Sequence, residues 1–345
     1  MKKVLILQNI VPHYRKALYN KLSEKYDVTV LHSGKPSINE SDIYKEKITS
    51  LKTIMKFKIQ GGVIDEVKNG EYHAIVAMLD IQWINNIIAS IIFPKNTKFI
   101  WWGIMVSENK LGNIIRAFIL KRGLPAIFYT KQGIIDMEKY GAKSENFTYC
   151  NNTIHIENRI KCYESKEKNS ILFVGSLDTR KKIDTLISSF HSIIDKIPDF
   201  VNIDIIGDGT EAENILFQIQ SLNLNDRVKM HGKITDTNEL GEFYKKAICS
   251  VSYGQAGLAV LQSFGYGVPF LTKENAISGG EITNIEHGIN GFICNNNEES
   301  LARFLEQICN DFDLSREMGE KAFEYYSKHC TIENMAFKFS KCIDK

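Results

Sequence analysis

The sequence predicts an α/β protein built from two doubly wound domains, each a parallel sheet between layers of helices. Three observations carry this. The chain has 345 residues, more than one hydrophobic core usually organises. Short apolar runs alternate with amphipathic stretches, and the series occurs twice. Between the two series lies a polar stretch, 151–169, and formal charge changes sign there. Up to Ser165 there are 24 Lys and Arg against 15 Asp and Glu; after it there are 19 against 26. Overall, 43% of residues are hydrophobic and 24% charged, which excludes a disordered polymer, a collagen-like chain or a small disulfide scaffold.

In the first series, the strand candidates are Lys3–Gln8, Asp27–Leu31, Ala74–Leu79, Lys98–Trp102, Ala126–Thr130 and Phe147–Cys150. Helical patterns fall at His13–Lys25, Gln82–Phe93, Lys110–Arg122 and Gln132–Tyr140. The second series has strands at Ile171–Val174, Val201–Ile206, Arg227–His231, Ile248–Ser252 and Val268–Thr272. Its helices follow at Lys182–Lys196, Glu211–Leu222, Asn238–Lys246 and Leu258–Tyr266, then Glu298–Asn310, Leu314–His329 and a last one over 331–345. In such sheets ligands bind beyond the carboxyl ends of the strands, so a cleft between the domains is the expected site.

Several functions are excluded early. The apolar run Ile81–Phe93 is too short and too polar to span a bilayer, and Val4–Leu7 is too short for a signal peptide. Seven cysteines show no metal-ligand spacing and read as free thiols of a reducing cytoplasm. Asp311-Phe-Asp313 spells D-x-D between late helices and reads as a helix boundary, so neither a metal nor another cofactor is expected. No zinc module or recognition helix is evident and the second half is acidic, which argues against nucleic acid.

The chemistry concentrates after two strands. In Ile171–Phe190 an apolar run ends at Gly175, and Arg180, Lys181 and Lys182 crowd the start of the next helix. Cations are unfavourable there because the macrodipole is positive. A bound phosphate or diphosphate would resolve the conflict. In Ser252–Pro269, Gly254, Ala256 and Gly257 allow close approach to the backbone, a helix opens at Leu258, and Gln262 lies one turn on.

The ordered fragments resemble a known family. Phe173-Val-Gly-Ser-Leu177 with Arg180-Lys181, Ile206-Gly-Asp-Gly209, Val228 to Gly232, Gly254 to Gly257-Leu258 with Gln262 and Gly267-Val-Pro269, and Glu286-His-Gly-Ile-Asn-Gly291-Phe292 are similar to the nucleotide-sugar-binding half of glycosyltransferase family four. The first half resembles it more weakly, through Pro12-His13-Tyr14-Arg15, Trp101-Trp102-Gly103, Tyr129 and Asn152-Thr153-Ile154. The resemblance implies the GT-B fold, two Rossmann-like domains facing across a cleft. It implies an acceptor domain over residues 1–160, with a last helix over 331–345 crossing back to it, and a donor domain over 166–330. It also implies a nucleotide-diphosphate sugar donor and retention of configuration. Donor contacts would come from Arg180, Lys181, Gly209, Gly257, Leu258 and Gln262. Three departures stand out. Ser176 occupies a position where the family has Arg. The family's pair of glutamates aligns with Gly254 and Gln262. Ile104 stands where a histidine often follows Trp-Gly. Glu281 or Gln255 is the substitute for the missing sugar contact.

On the acceptor side the candidates are His13, Arg15 and Trp102, with Asp80 as the best-placed carboxylate and Glu108 a loop acid without an evident partner. Asp80 reads equally as an N-cap. Residues 111–124 interleave Ile114, Ile115, Phe118, Ile119 and Leu120 with Arg116, Lys121 and Arg122, the pattern of an interfacial helix. The expected activity is sugar transfer to a saccharide, lipid-linked, in surface polysaccharide synthesis, at the cytoplasmic face of the membrane. The alternative is a non-catalytic GT-B subunit that binds a sugar nucleotide.

Overall fold

The computed structural model describes residues 1–104, 106 and 109–345, so Glu108 lies outside the described residues. The chain forms two compact units, Met1–His155 with Ile332–Lys345, and Ile156–Thr331.

The first unit runs β1 (Lys3–Leu7), α1 (Lys16–Ser23), β2 (Asp27–His32), β3 (Lys45–Ile48), β4 (Leu51–Ile54), β5 (Phe57–Gln60), α2 (Val63–Asn69), β6 (Ala74–Met78), α3 (Ile84–Ile92), β7 (Lys98–Ile104), α4 (Lys110–Leu120), β8 (Ala126–Phe128), α5 (Lys131–Lys139) and β9 (Phe147–Tyr149). Seven strands pair in the order β3-β2-β1-β6-β7-β8-β9, all parallel. Parallel strands are covered on both faces, which is why the central ones are unbroken apolar runs. Val4 and Ile6 face the layer of α1; Leu5 and Leu7 face the opposite layer. The order reverses between β1 and β6, whose carboxyl ends carry Gln8 and Asp80 just beyond. Pro12 precedes a 3-10 turn, His13–Arg15, so the expected helix from His13 begins only at Lys16. The residues after Thr331 belong to this unit as a helix, Ile332–Asp344, whose fully buried Phe339 meets Trp102 edge-on with centroids 5.0 Å apart.

Four elements here are not evident from apolar pattern. β3 is a charged edge strand, Lys45-Glu-Lys-Ile48, the composition that protects a sheet edge. β4 and β5 form an antiparallel hairpin of largely exposed residues, and α2 spans only seven residues.

The second unit runs β10 (Ser170–Val174), α6 (Ile183–Ser192), β11 (Asn202–Ile206), α7 (Ala212–Ser221), β12 (Val228–Met230), α8 (Thr237–Lys246), β13 (Ala247–Val251), α9 (Leu258–Gly265), β14 (Phe270–Lys273), β15 (Gly291–Cys294), α10 (Glu298–Asn310) and α11 (Phe312–His329); the terminal helix of the first unit is then α12. Six parallel strands pair as β12-β11-β10-β13-β14-β15 and reverse between β10 and β13. Asp311 caps α11, accepting from Leu314 N at 2.9 Å. The expected polar linker is partly structured. Cys162 N donates to the Tyr266 carbonyl at 3.0 Å, and buried Lys168 donates to that of Ala247 at 2.7 Å. All seven cysteines are buried, and among the described residues none forms a disulfide.

Candidate functional site

In the second unit, three loops leave the carboxyl ends of the adjacent strands β10, β13 and β14, and backbone bonds join them. Gly254 N donates to the Lys181 carbonyl at 3.1 Å, and Ile277 N donates to that of Gly254 at 3.0 Å. The loop after β10 also lies against the loop after β11. A Cβ at Gly207 would stand 1.8 Å from the Gly175 carbonyl oxygen, and one at Gly209 would stand 2.3 Å from that of Leu177. Only glycine permits this contact. The Cβ side of Gly209 is taken by the Leu177 carbonyl.

The neighbouring cations prove inequivalent. They occupy a 3-10 turn, Thr179–Lys181, followed by Lys182 at φ 56°, and α6 starts only at Ile183. Asp178 accepts from Arg180 N at 3.1 Å and grips the exposed guanidinium through Nε at 3.1 Å and Nη2 at 2.8 Å. Arg180, assisted by Ser176, holds the Asp178 carboxyl down at about 2. The charge conflict read from the sequence is thus met, for Arg180, by the chain's own carboxylate. Lys181 turns the other way. Its Cε and Nζ lie 3.6 Å from where a Cβ on Gly175 would be, beside the Phe173 ring. Burial pulls its pKa down, and among the described residues no carboxylate lies within ion-pair distance of it.

Gly254 does not open the backbone to a ligand as its sequence context suggests. A Cβ there would stand 2.2 Å from the Arg180 carbonyl oxygen and 2.7 Å from Lys182 Cγ. Gly257 does open the backbone: nothing lies within 4 Å of a Cβ there, at the start of α9 with Leu258. Gln262 is half-buried one turn on. Gln255 has a buried Oε1 without a hydrogen-bond partner. Glu281 is buried in a 3-10 turn, Glu281–Asn284, entered through Gly280 at φ 111°. Its carboxylate lies near Ser278 Oγ at 3.4 Å. Gly254 to Ile277 is the backbone link that ties this segment to the loops after β10 and β13.

In the first unit, Asp80 Oδ1 accepts from Gln82 N at 2.9 Å, bracing the turn before α3. Its charge also acts on Arg116 of α4, whose pKa burial lowers and Asp80 raises. His13 is exposed, edge-on to Tyr14. Arg15 is only 4% exposed. It donates to the Tyr129 hydroxyl at 2.6 Å, lies 3.6 Å from Met335 Sδ, and sets its Cζ 4.6 Å from the Trp102 ring centroid. Trp102 is 1% exposed. With Arg15 on its face and Phe339 at its edge, it is a core residue and cannot serve as a sugar platform. Sequence reading missed Asp178 as the internal counter-charge and the ring of Tyr14, Trp102 and Tyr129 around Arg15; the two-residue spacing of Asp178 and Arg180 was the available signal. Helix α4 buries Gly112, Asn113, Ala117, Ile119 and Leu120, while Leu111, Ile114, Ile115 and Phe118 are exposed, Phe118 by 73%.

Two parallel doubly wound units of this kind define the class: the fold is GT-B, that of two-domain glycosyltransferases. Within it, residues 156–325 match the family described as Glycosyl transferases group 1, nearly the whole second unit and just under half of the chain. An uncharacterized glycosyltransferase of Haemophilus influenzae is 30% identical over 175 residues, 50% of this chain and 47% of that protein. The poly(ribitol-phosphate) alpha-N-acetylglucosaminyltransferase of Staphylococcus aureus is 24% identical over 196 residues, 56% of this chain and 39% of that protein. The chain thus matches less than half the length of these relatives. Among solved structures, Anabaena HepE in complex with UDP shares the fold at TM-score 0.78 and 16% identity, with both chains covered in full. Among the described residues, no helix is long and apolar enough to cross a membrane.

Proposed function

We propose that the protein transfers a sugar from a nucleotide-diphosphate donor, held by the second unit, to a saccharide hydroxyl received by the first. One observation carries this reading: the half-buried Lys181 ammonium, beside Gly175 at the end of β10, forms no ion pair among the described residues, and the Lys181 carbonyl accepts from Gly254 N in the loop that leads to the start of α9. In the reaction, the acceptor oxygen bonds to the anomeric carbon and the bond to the β-phosphate oxygen breaks. Lys181 and the N–H groups from Gly257 onward meet the charge that develops on the diphosphate. Arg180 is a second cation, exposed, that joins only by leaving Asp178. Leu258 and Gln262 line the nucleoside side, and Glu281 is the carboxylate for the sugar. Asp80 receives the acceptor proton, with His13 and Arg15 on the same side. Retention of configuration and placement in family four rest on the motifs quoted above. The reading extends to a lipid-linked acceptor in surface polysaccharide synthesis, with the apolar face of α4 in the membrane interface, flanked by Lys110, Lys121 and Arg122.

The test is Lys181→Ala against Lys181→Arg, read by calorimetric titration with UDP, GDP and CMP sugars. A charge-assisted bond is worth roughly 1.5–3 kcal/mol, so affinity for the accepted donor should fall about 10- to 150-fold in the alanine variant and less in the arginine one. An alanine variant that binds within threefold of the parent removes the diphosphate assignment. A second reading, a non-catalytic donor-binding subunit, is favoured by Gly254, which leaves no room for an acidic side chain. Donor hydrolysis or transfer by the purified chain eliminates it.

A further inference from the structure

The first unit buries a full positive charge with no counter-ion among the described residues. Arg15 is 4% exposed and permanently ionised, and among the described residues no carboxylate lies within ion-pair distance of it. Its guanidinium has five N–H donors. The oxygen and sulfur acceptors around it are the Tyr129 hydroxyl and the Met335 thioether, at 2.6 and 3.6 Å. The faces of Trp102, Tyr14 and Tyr129, with centroids 4.6, 5.0 and 5.4 Å from Cζ, attract the cation but carry no opposite charge. Each such contact recovers about 0.5–2 kcal/mol, whereas an ion removed from water loses several.

The surroundings hold further buried polar groups but, among the described residues, no carboxylate. Trp102 Nε1 and the Tyr19 hydroxyl are buried without hydrogen-bond partners, and both residues belong to the same core layer as Arg15's neighbours. Gln8 follows β1 in step with Val4 and Ile6, which face that layer, and its Nε2 is also buried and unpartnered. Arg15 reaches this position from the turn just after β1. Trp102 lies near the carboxyl end of β7, and Tyr129 directly follows β8. These are the strand ends at which doubly wound sheets take ligands.

We infer that Arg15 binds an oxyanion, a phosphate or carboxylate group carried by the acceptor, with the aromatic ring around it fixing the guanidinium fork. This rests on the assignment of the first unit to the acceptor. It makes the accepted saccharide an acidic or phosphorylated one. The fork geometry of a guanidinium fits a two-oxygen anion better than a neutral polyol.

The experiment is run on Lys181→Ala protein, so that the donor side does not report. Glycerol 1-phosphate, glucuronate and neutral glycerol are titrated while the thermal midpoint is followed. Either or both anions should raise it by at least about 2 °C, and glycerol should not. Adding Arg15→Met should abolish the shift; Arg15→Lys should weaken it at least threefold in affinity. Without ligand, the methionine variant should be as stable as the parent or more so, since it removes an uncompensated charge. The inference falls if neither anion shifts the midpoint with Arg15 intact, or if the shift survives Arg15→Met. It also falls if Arg15→Met lowers unliganded stability while Arg15→Lys restores it with no anion response, because the aromatic ring is then the whole role. None of these outcomes depends on whether Lys181 binds the donor.

Discussion

Replacing Gly254 with alanine tests the contact on which the donor-side loops depend. The added carbon would stand 2.2 Å from the Arg180 carbonyl oxygen, and that oxygen is backbone. Arg180 cannot simply rotate away, because its neighbour Lys181 accepts from Gly254 N at 3.1 Å and the whole turn is capped by Asp178. Overpacking of this kind costs about 1–3 kcal/mol, and the loss of one backbone hydrogen bond about another 1 kcal/mol. For a unit of this size, each kcal/mol moves the midpoint by about 2–4 °C, so a drop of roughly 4–16 °C is expected in calorimetry. Donor affinity should fall with it, because the same displacement moves the Lys181 ammonium. Gly257→Ala is the control: nothing lies within 4 Å of its Cβ, and stability should change by less than about 0.5 kcal/mol. A Gly254→Ala protein with unchanged midpoint and unchanged donor affinity would refute the steric reasoning. So would a Gly254→Glu protein with higher activity.

Two further outcomes follow from the same geometry. Asp178 has a carboxyl lowered from 3.8 to about 2, so its contribution to stability is complete above pH 4 and disappears as pH falls through about 2. The midpoint difference between the parent and Asp178→Asn, followed by circular dichroism across that window, should shrink to nothing at the acid end; a constant difference contradicts the Arg180 pairing. Ile114→Ser with Phe118→Ser should leave thermal stability within about 0.5 kcal/mol, since both side chains are exposed, and should release the protein from anionic vesicles in co-sedimentation. Undiminished sedimentation would remove α4 from the membrane contact.

Much of the sheet was legible because parallel strands announce themselves. Runs such as Val4–Leu7 and Ile171–Val174 have no alternation to misread, and the helix patterns of α6 to α11 lie close to their observed limits. What was lost had weak apolar signal. Edge strand β3 is charged because an edge must be, the β4–β5 hairpin has one mostly exposed surface, and β15 is too short to stand out from its glycine-rich motif. The site was legible as a set of loops but not as a set of directions. Sequence put Arg180 and Lys181 side by side; backbone geometry, with Lys182 at a positive φ and Asp178 curled over Arg180, sends them apart. Gly254 read as an opening, yet its Cβ side meets the Arg180 carbonyl, since a glycine required by the chain's own carbonyls looks the same in sequence as one required by a ligand. Trp102 could not be assigned from sequence because its partner, Phe339, is a residue of the last helix.

That last helix has a consequence for how the protein is made. Phe339 and Ile343, with the rest of the buried face of α12, complete a layer whose remaining members, from Val4 to Cys150, emerge from the ribosome long before them. The first half to be synthesised therefore waits with an open hydrophobic flank while the intervening unit, Ile156–Thr331, has every one of its own strands in hand. Vectorial synthesis and order of consolidation run in opposite senses here. During elongation the nascent chain exposes Trp102 and its neighbours for about two hundred further residues, which makes that flank the natural target of chaperones that read apolar surface.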